Sequence, residues 1–352
     1  MKTTRRQFLQ QSSLALFAAT LPVFPRGNQS KTNTLLKPPA LNSGDTVGLV
    51  APASVLFETN RMLMEAEEKM HELGFKTKRA KNIGKRYGYL AGSVKDRVAD
   101  LHDMFRDGDV QAIVAVRGGY GSAQLLPHLN YDLIRKHPKI LIGYSDITAL
   151  ALGIYVQTGL VTFHGPVATS TFSDYTKKYF LSTLGSTEAI GEIDDAPYSD
   201  NLQTSNRVWT VQEGVAEGRL VGGNLTLLQS LLGTPYEPDT NGAILFMEEV
   251  GEEPYDLDRM LNHLKQAGKF DGVKGIFFDK MPSVKPASLQ PGFNSSLSVE
   301  QVIEDVFKNC KFPLCVGLSI GHIKDKPTLP LGIQARLDAT HGRLSLLEGA
   351  VV

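Results

Sequence analysis

Surplus charge is missing from this sequence. Its 37 Lys+Arg balance its 37 Asp+Glu, so the formal net charge is zero. Nothing in that balance advertises a nucleic acid or an acidic surface as partner. Cysteine is scarce as well, with only Cys310 and Cys315. They match no zinc or CxxC spacing, so a disulfide framework or a zinc site is not indicated. No His/Asp/Glu pair has metal-ligand spacing such as His-Glu-x-x-His, and no metal or cofactor is expected. A P-loop is absent too, because Gly118-Gly119-Tyr120-Gly121 lacks the Lys-Ser/Thr that would follow. What is present is apolar matter for a core: hydrophobic residues make up 42% of 352, enough for two domains or one large one.

The first thirty residues read as an address rather than as fold. Arg5-Arg6 precede a short, mildly hydrophobic segment, Leu14 to Ala19, and then small residues and prolines. This order resembles a twin-arginine (Tat) export signal, which implies a periplasmic protein. The segment is too short for a permanent transmembrane helix, and no cysteine near its end offers a lipid anchor. Without the signal the alternative is a cytoplasmic chain.

After about residue 38, strand and helix patterns alternate. Gly44 to Ser54 reads as a first strand ending in a loop. A helix carries Leu63, Ala66, Met70 and Leu73, and a short second strand runs through Phe75 to Ala80. A second helix carries Val98, Leu101, Met104 and Phe105. Val110 to Val116 is a buried strand, and Ile140 to Ile142 another. Such alternation predicts an α/β fold with a Rossmann-like parallel sheet over 38–168. Residues 169–208 are rich in Ser, Thr, Asp and Tyr and read as a linker with some ordered pieces. A smaller α/β domain over 209–352 is expected to end in short antiparallel strands between Ile333 and Leu347.

Ligands on parallel sheets gather at the carboxyl ends of strands. Gly118-Gly119 and Gly143-Tyr144-Ser145-Asp146 both fall there. A serine at a sharp strand-to-helix turn can present its hydroxyl as a nucleophile, although the second glycine of Gly-x-Ser-x-Gly is replaced by Ile147. Taken alone, Ser145 reads more readily as a helix cap than as a nucleophile, and capping also accounts for Ser122. A glycine pair after a strand lets backbone amides approach an oxyanion. Glu248 ends an apolar strand and reads as a solvated strand end or as the orienter of a histidine; Glu249, Glu252 and Glu253 read as a solvated acidic loop. His322 follows Gly321 after a strand. His164 lies in a Gly-Pro turn, and the other six of the eight histidines have surface-like neighbours.

Taken together these pieces resemble the serine LD-carboxypeptidases, whose sister branch holds the microcin-immunity peptidases. The matching motifs are Leu90 to Ser93 with Arg97, Val116 to Gly121, Pro138 to Thr148, Thr162 to Pro166, Gly222 to Leu225, Leu245 to Glu249 with Pro254-Tyr255 and Asp258-Arg259, Gly321-His322, and Leu329 to Gly332. They cover nearly the whole chain after the leader, in order. The resemblance implies a Ser-His-Glu triad of Ser145, His322 and Glu248, with oxyanion donors at the amides of Gly119 and Asp146. It implies cleavage of the bond between diaminopimelate and a terminal D-alanine in murein tetrapeptides, and a homodimer. Arg117 is a candidate to hold the substrate carboxylate. Two features depart from the family pattern: Asp279-Lys280-Met281 stands where a further glycine is usual, and a Tat-like leader is unusual for enzymes of wall recycling.

Overall fold

The structure, a computed structural model, describes residues 34–197 and 207–352; the Tat-like segment lies outside the described residues. Strand β1 (Thr46–Val50) is followed by helix α1 (Thr59–Glu72) and strand β2 (Lys76–Arg79). Helix α2 (Val94–Arg106) opens on a capping box, in which Ser93 accepts from the Asp96 amide while Asp96 reaches back to Ser93. Strand β3 (Val110–Ala115), a 3₁₀ turn (Ser122–His128), helix α3 (Tyr131–Lys136), strand β4 (Ile140–Gly143), helix α4 (Ile147–Thr158) and strand β5 (Phe163–His164) complete the first half. Helix α4 is buried on every side over Ile147 to Ile154, which is why its sequence shows no polar stripe.

The stretch read as a linker holds helix α5 (Asp174–Gly185) and a short strand, β6 (Gly191–Glu192). Then come β7 (Trp209–Gln212), β8 (Val215–Asn224), α6 (Leu225–Ser230), β9 (Ala243–Glu248), α7 (Pro254–Gln266), β10 (Gly275–Asp279), α8 (Val299–Phe307) and β11 (Leu314–Leu318). The chain closes with β12 (Leu329–Pro330), β13 (Gln334–Asp338) and β14 (Arg343–Leu346).

These strands build an α/β fold on two sheets. The first has the order β12-β5-β4-β3-β1-β2 and is parallel except for β12, which pairs antiparallel with β5. The second has the order β6-β14-β13-β8-β9-β10-β11-β7. Its centre, β8 to β11, is parallel, and its flanks are antiparallel as the closing sequence predicted. The central strands are continuous apolar runs because both of their faces are covered. The sheets meet at α4: Thr148 Oγ1 accepts the Asn224 amide at 3.0 Å, where β8 gives way to α6. Ser145, before α4, is thereby tied to the carboxyl end of the second sheet. Among the described residues, no helix is long and apolar enough to cross a membrane.

Candidate active site

Strand β4 stops at Gly143, and the chain turns sharply before α4. At the turn Ser145 has φ 62°, a left-handed conformation that a serine holds only when its surroundings impose it, at a cost of order 1–3 kcal/mol. Its hydroxyl does not cap α4; the first residue before the helix is Asp146, and no side chain caps there. The capping alternative for Ser145 is thus set aside.

The glycine loop after β3 is bolted to this turn. Asp146 Oδ1 accepts the Gly121 amide at 3.1 Å and Oδ2 the Ser122 amide at 2.8 Å. The Ser122 hydroxyl donates to the Asp146 carbonyl at 2.5 Å, so Ser122 is a buried brace and not the cap its position suggested. Arg97, almost fully buried, donates to the carbonyls of Pro52 at 2.8 Å and Gly121 at 2.9 Å. Burial lifts the Asp146 carboxyl above its usual range, against the pull of the Ser122 and Gly121 bonds and of Arg97. The loop lies so close to the turn that a Cβ at Gly118 would stand 3.0 Å from Ser145 Cβ and 3.3 Å from its Oγ. A side chain there would have to push the Ser145 turn back by a few tenths of an ångström. The amides of Gly119 and Asp146 donate to no acceptor among the described residues.

Glu248 ends β9 with no exposure at all, so the solvated reading fails. Its Oε2 meets His322 Nδ1 at 2.7 Å. Gly321 makes room for that contact, since a Cβ there would stand 2.7 Å from Glu248 Oε2. Glu249 is buried too, which corrects its reading as part of a solvated acidic loop. It accepts from Asn224 Nδ2 at 3.1 Å and from the Thr226 amide and hydroxyl at 2.9 and 2.8 Å. Buried carboxylates persist where such donors meet them. Asn224 therefore touches both halves, through Thr148 on one side and Glu249 on the other.

Tyr144 joins the two sides. Its ring packs edge-on against His322, centroids 4.8 Å apart, one residue from Ser145. No hydrogen bond links Ser145 Oγ to His322. Tyr144 also touches His164, whose ring is buried with neither nitrogen hydrogen-bonded and whose pKa burial pushes down to about 4. Arg117 is half-buried, donating to the Val55 carbonyl at 3.1 Å and lying over the Phe57 ring. Asp279 ends β10 beside β9; burial, reinforced by Glu248, raises its carboxyl well above the usual range. Met281 has φ 41°, the left-handed backbone that a glycine would take without strain. Cys310 and Cys315 are both free thiols.

Sequence reasoning singled out Ser145, Glu248 and His322; the structure brings Glu248 and His322 into contact and packs Tyr144, the residue before Ser145, on the His322 ring. It missed Asn224, Tyr144 and Arg97 as functional supports. Asn224 looks like a helix cap, which it also is, accepting from the Leu227 amide. A serine in a strained turn, unbonded amides beside it and a histidine held by a buried carboxylate together form the equipment of a hydrolase.

Comparison with known proteins places the chain. Residues 47–165 match the model of the LD-carboxypeptidase N-terminal domain, and residues 217–337 that of the LD-carboxypeptidase C-terminal domain. The chain belongs to this family, peptidase S66. The probable murein peptide carboxypeptidase of Bacillus subtilis (strain 168) is 41% identical over 323 residues, 90% of this chain and 95% of that protein. The microcin C7 self-immunity protein MccF of Escherichia coli is 31% identical over 343 residues, 90% and 97% of the two chains. A solved apo structure of MccF superposes with a TM-score of 0.81 at 29% identity, covering 90% of this chain and all of that one. The muramoyltetrapeptide carboxypeptidase from Oxalobacter formigenes gives 0.72 at 28% identity, with 86% and 97% coverage.

Proposed function

We propose that this peptidase is a serine-type LD-carboxypeptidase that releases D-alanine from diaminopimelate in murein tetrapeptides, acting in the periplasm after Tat export and as a homodimer. The observation that carries the reading is the 2.7 Å bond from buried Glu248 to His322, whose ring packs on Tyr144, the residue before Ser145. Glu248 fixes the imidazole tautomer, with the proton on Nδ1 and a basic Nε2. His322 takes the Ser145 proton as Oγ attacks the carbonyl of the diaminopimelate residue. The amides of Gly119 and Asp146 receive the oxyanion. His322 then returns the proton to the leaving nitrogen, D-alanine departs, and water hydrolyses the acyl-enzyme by the same path.

The test is to incubate the protein and its Ser145→Ala variant with a diaminopimelate tetrapeptide and a pentapeptide, following D-alanine by mass. Release from the tetrapeptide by the wild type alone is expected. No release by the wild type would refute the substrate, and equal release by the variant would refute the nucleophile. The likeness to MccF favours one second reading, cleavage of a peptide–nucleotide conjugate. Aspartyl sulfamoyl adenosine, a molecule bound in one MccF structure, belongs in the same assay as its probe.

A further inference from the structure

Beside Tyr144 stands a cation without a partner. Lys326 is only 5% exposed, yet its ammonium forms no hydrogen bond or ion pair among the described residues. It lies over the Tyr144 ring, 4.9 Å from the centroid, while the edge of that ring meets His322. The backbone that presents it is anchored: the Lys326 amide donates to Thr176 Oγ1 at 3.1 Å, and Thr176 donates to the Lys324 carbonyl at 3.3 Å. Burial lowers its pKa to about 8 against the attraction of Glu248 and Asp325, which leaves it cationic at neutral pH. Glu248, the larger attraction, is already bonded to His322. A desolvated ammonium with only a ring face beneath it is costly unless an anion completes the site.

The chemistry of the proposed reaction supplies that anion. An enzyme that removes a single terminal residue meets a free carboxylate roughly 3–4 Å from the carbonyl under attack. The cation that reads it must therefore sit within a side chain's reach of the nucleophile. Arg117 donates to Val55 and covers Phe57, and Lys280 faces Asp325 and Asp195. Among the described residues Lys326 donates to no carbonyl, and the carboxylate that attracts it most, Glu248, is already bonded to His322.

We propose that Lys326 is the subsite for the free terminal carboxylate of the peptide, its ammonium held over Tyr144 so that the anion docks beside Ser145. This rests on the carboxypeptidase reading above. It makes Lys326, rather than Arg117, the residue that separates a carboxypeptidase from an endopeptidase on this frame.

Binding, measured by calorimetry, tests it. The Ser145→Ala protein is titrated with the tetrapeptide and with the same peptide ending in an amide. A charge-assisted contact predicts that the acid binds about 10–100-fold more tightly. In Ser145→Ala/Lys326→Met that preference falls towards one while the amide's affinity changes by less than about threefold. Lys326→Gln serves as a second neutral variant, with thermal midpoints confirming that each is folded. Absence of acid preference in Ser145→Ala, a preference that survives both substitutions, or equal weakening of acid and amide would each overturn the assignment. Hydrolysis by the wild type is followed alongside. Acid preference tied to Lys326 without D-alanine release keeps the subsite and refutes the reaction. Release without acid preference does the reverse.

Discussion

The glycine loop beside Ser145 is braced by several buried hydrogen bonds, whereas His322 hangs from a single one. Asp146, Ser122 and Arg97 lock the glycine loop to the Ser145 turn through charge-assisted contacts. On the other side, Gly321 through Asp325 donate no backbone hydrogen bond among the described residues, and the imidazole is located by Glu248 and the Tyr144 ring alone. The contrast fits the roles proposed for the two halves. Oxyanion donors stabilise charge only if they are already in place when it forms, so their loop is braced in advance. A base has to turn between the nucleophile and the leaving group, and a lightly held loop permits that.

The contrast can be broken from either side. Ser145→Ala or His322→Ala should each lower kcat by about 10⁴-fold or more, and the double variant should be scarcely worse than either single one. Single-turnover kinetics would measure this, and a multiplicative double variant would mean the two do not act as a unit. Glu248→Gln should cost roughly 10²–10⁴ in kcat, since an amide can orient the ring but cannot stabilise its cation. Asp146→Ala should lower kcat by about 10²-fold. Unlike the base-side variants it should also destabilise the fold, by roughly 2–4 kcal/mol in denaturant melts, because two buried amides lose their acceptor.

Smaller effects sharpen the picture. The folded pKa of His164, about 4, lies below its ordinary 6.5, so the unfolded chain takes up a proton that the folded one refuses. Stability is therefore unaffected above pH 6.5 and declines as pH falls towards 4, by about 2 kcal/mol between pH 7 and pH 5. His164→Phe should remove that part of the acid sensitivity, read as the difference between the variant and wild-type curves. Thr176→Val should be mildest, about 0.5–1.5 kcal/mol, with a few-fold rise in KM as the anchor of the Lys326 segment loosens. A larger loss in kcat than in KM would show the His322 loop to be as firmly braced as the Ser145 turn.

Much of this was legible in the residues. The apolar runs ending at Gly143 and Glu248 marked strands, and the positions just beyond strand ends are where ligands collect. What stayed hidden was burial of charge. Glu249 and Glu248 look alike in sequence, and both look wet beside Glu252 and Glu253. Only the fold puts Asn224 and Thr226 around one and His322 against the other. Ser122 misled for a related reason, because its acceptor, the Asp146 carbonyl, is remote in sequence. Helix α5 was read as part of a linker since its apolar face is broken by Thr and Tyr that pack inward. Lys326 sits in a run of charges, Lys324-Asp325-Lys326, that reads as solvent-facing. The fold instead lays it over the ring of Tyr144, which belongs to the other half of the chain.

The pairing of β12 with β5 bears on how the molecule is made. The edge of the first sheet, where His164 lies, is finished by Leu329 and Pro330. During synthesis β5 pairs with β4, but its outer edge stays open until the ribosome has added the 165 residues that separate His164 from Leu329. The nascent chain thus spends many seconds displaying an open apolar edge, at synthesis rates of roughly 5–20 residues per second. A ribosome that stalls before β12 would leave a sheet primed to pair with a neighbouring chain.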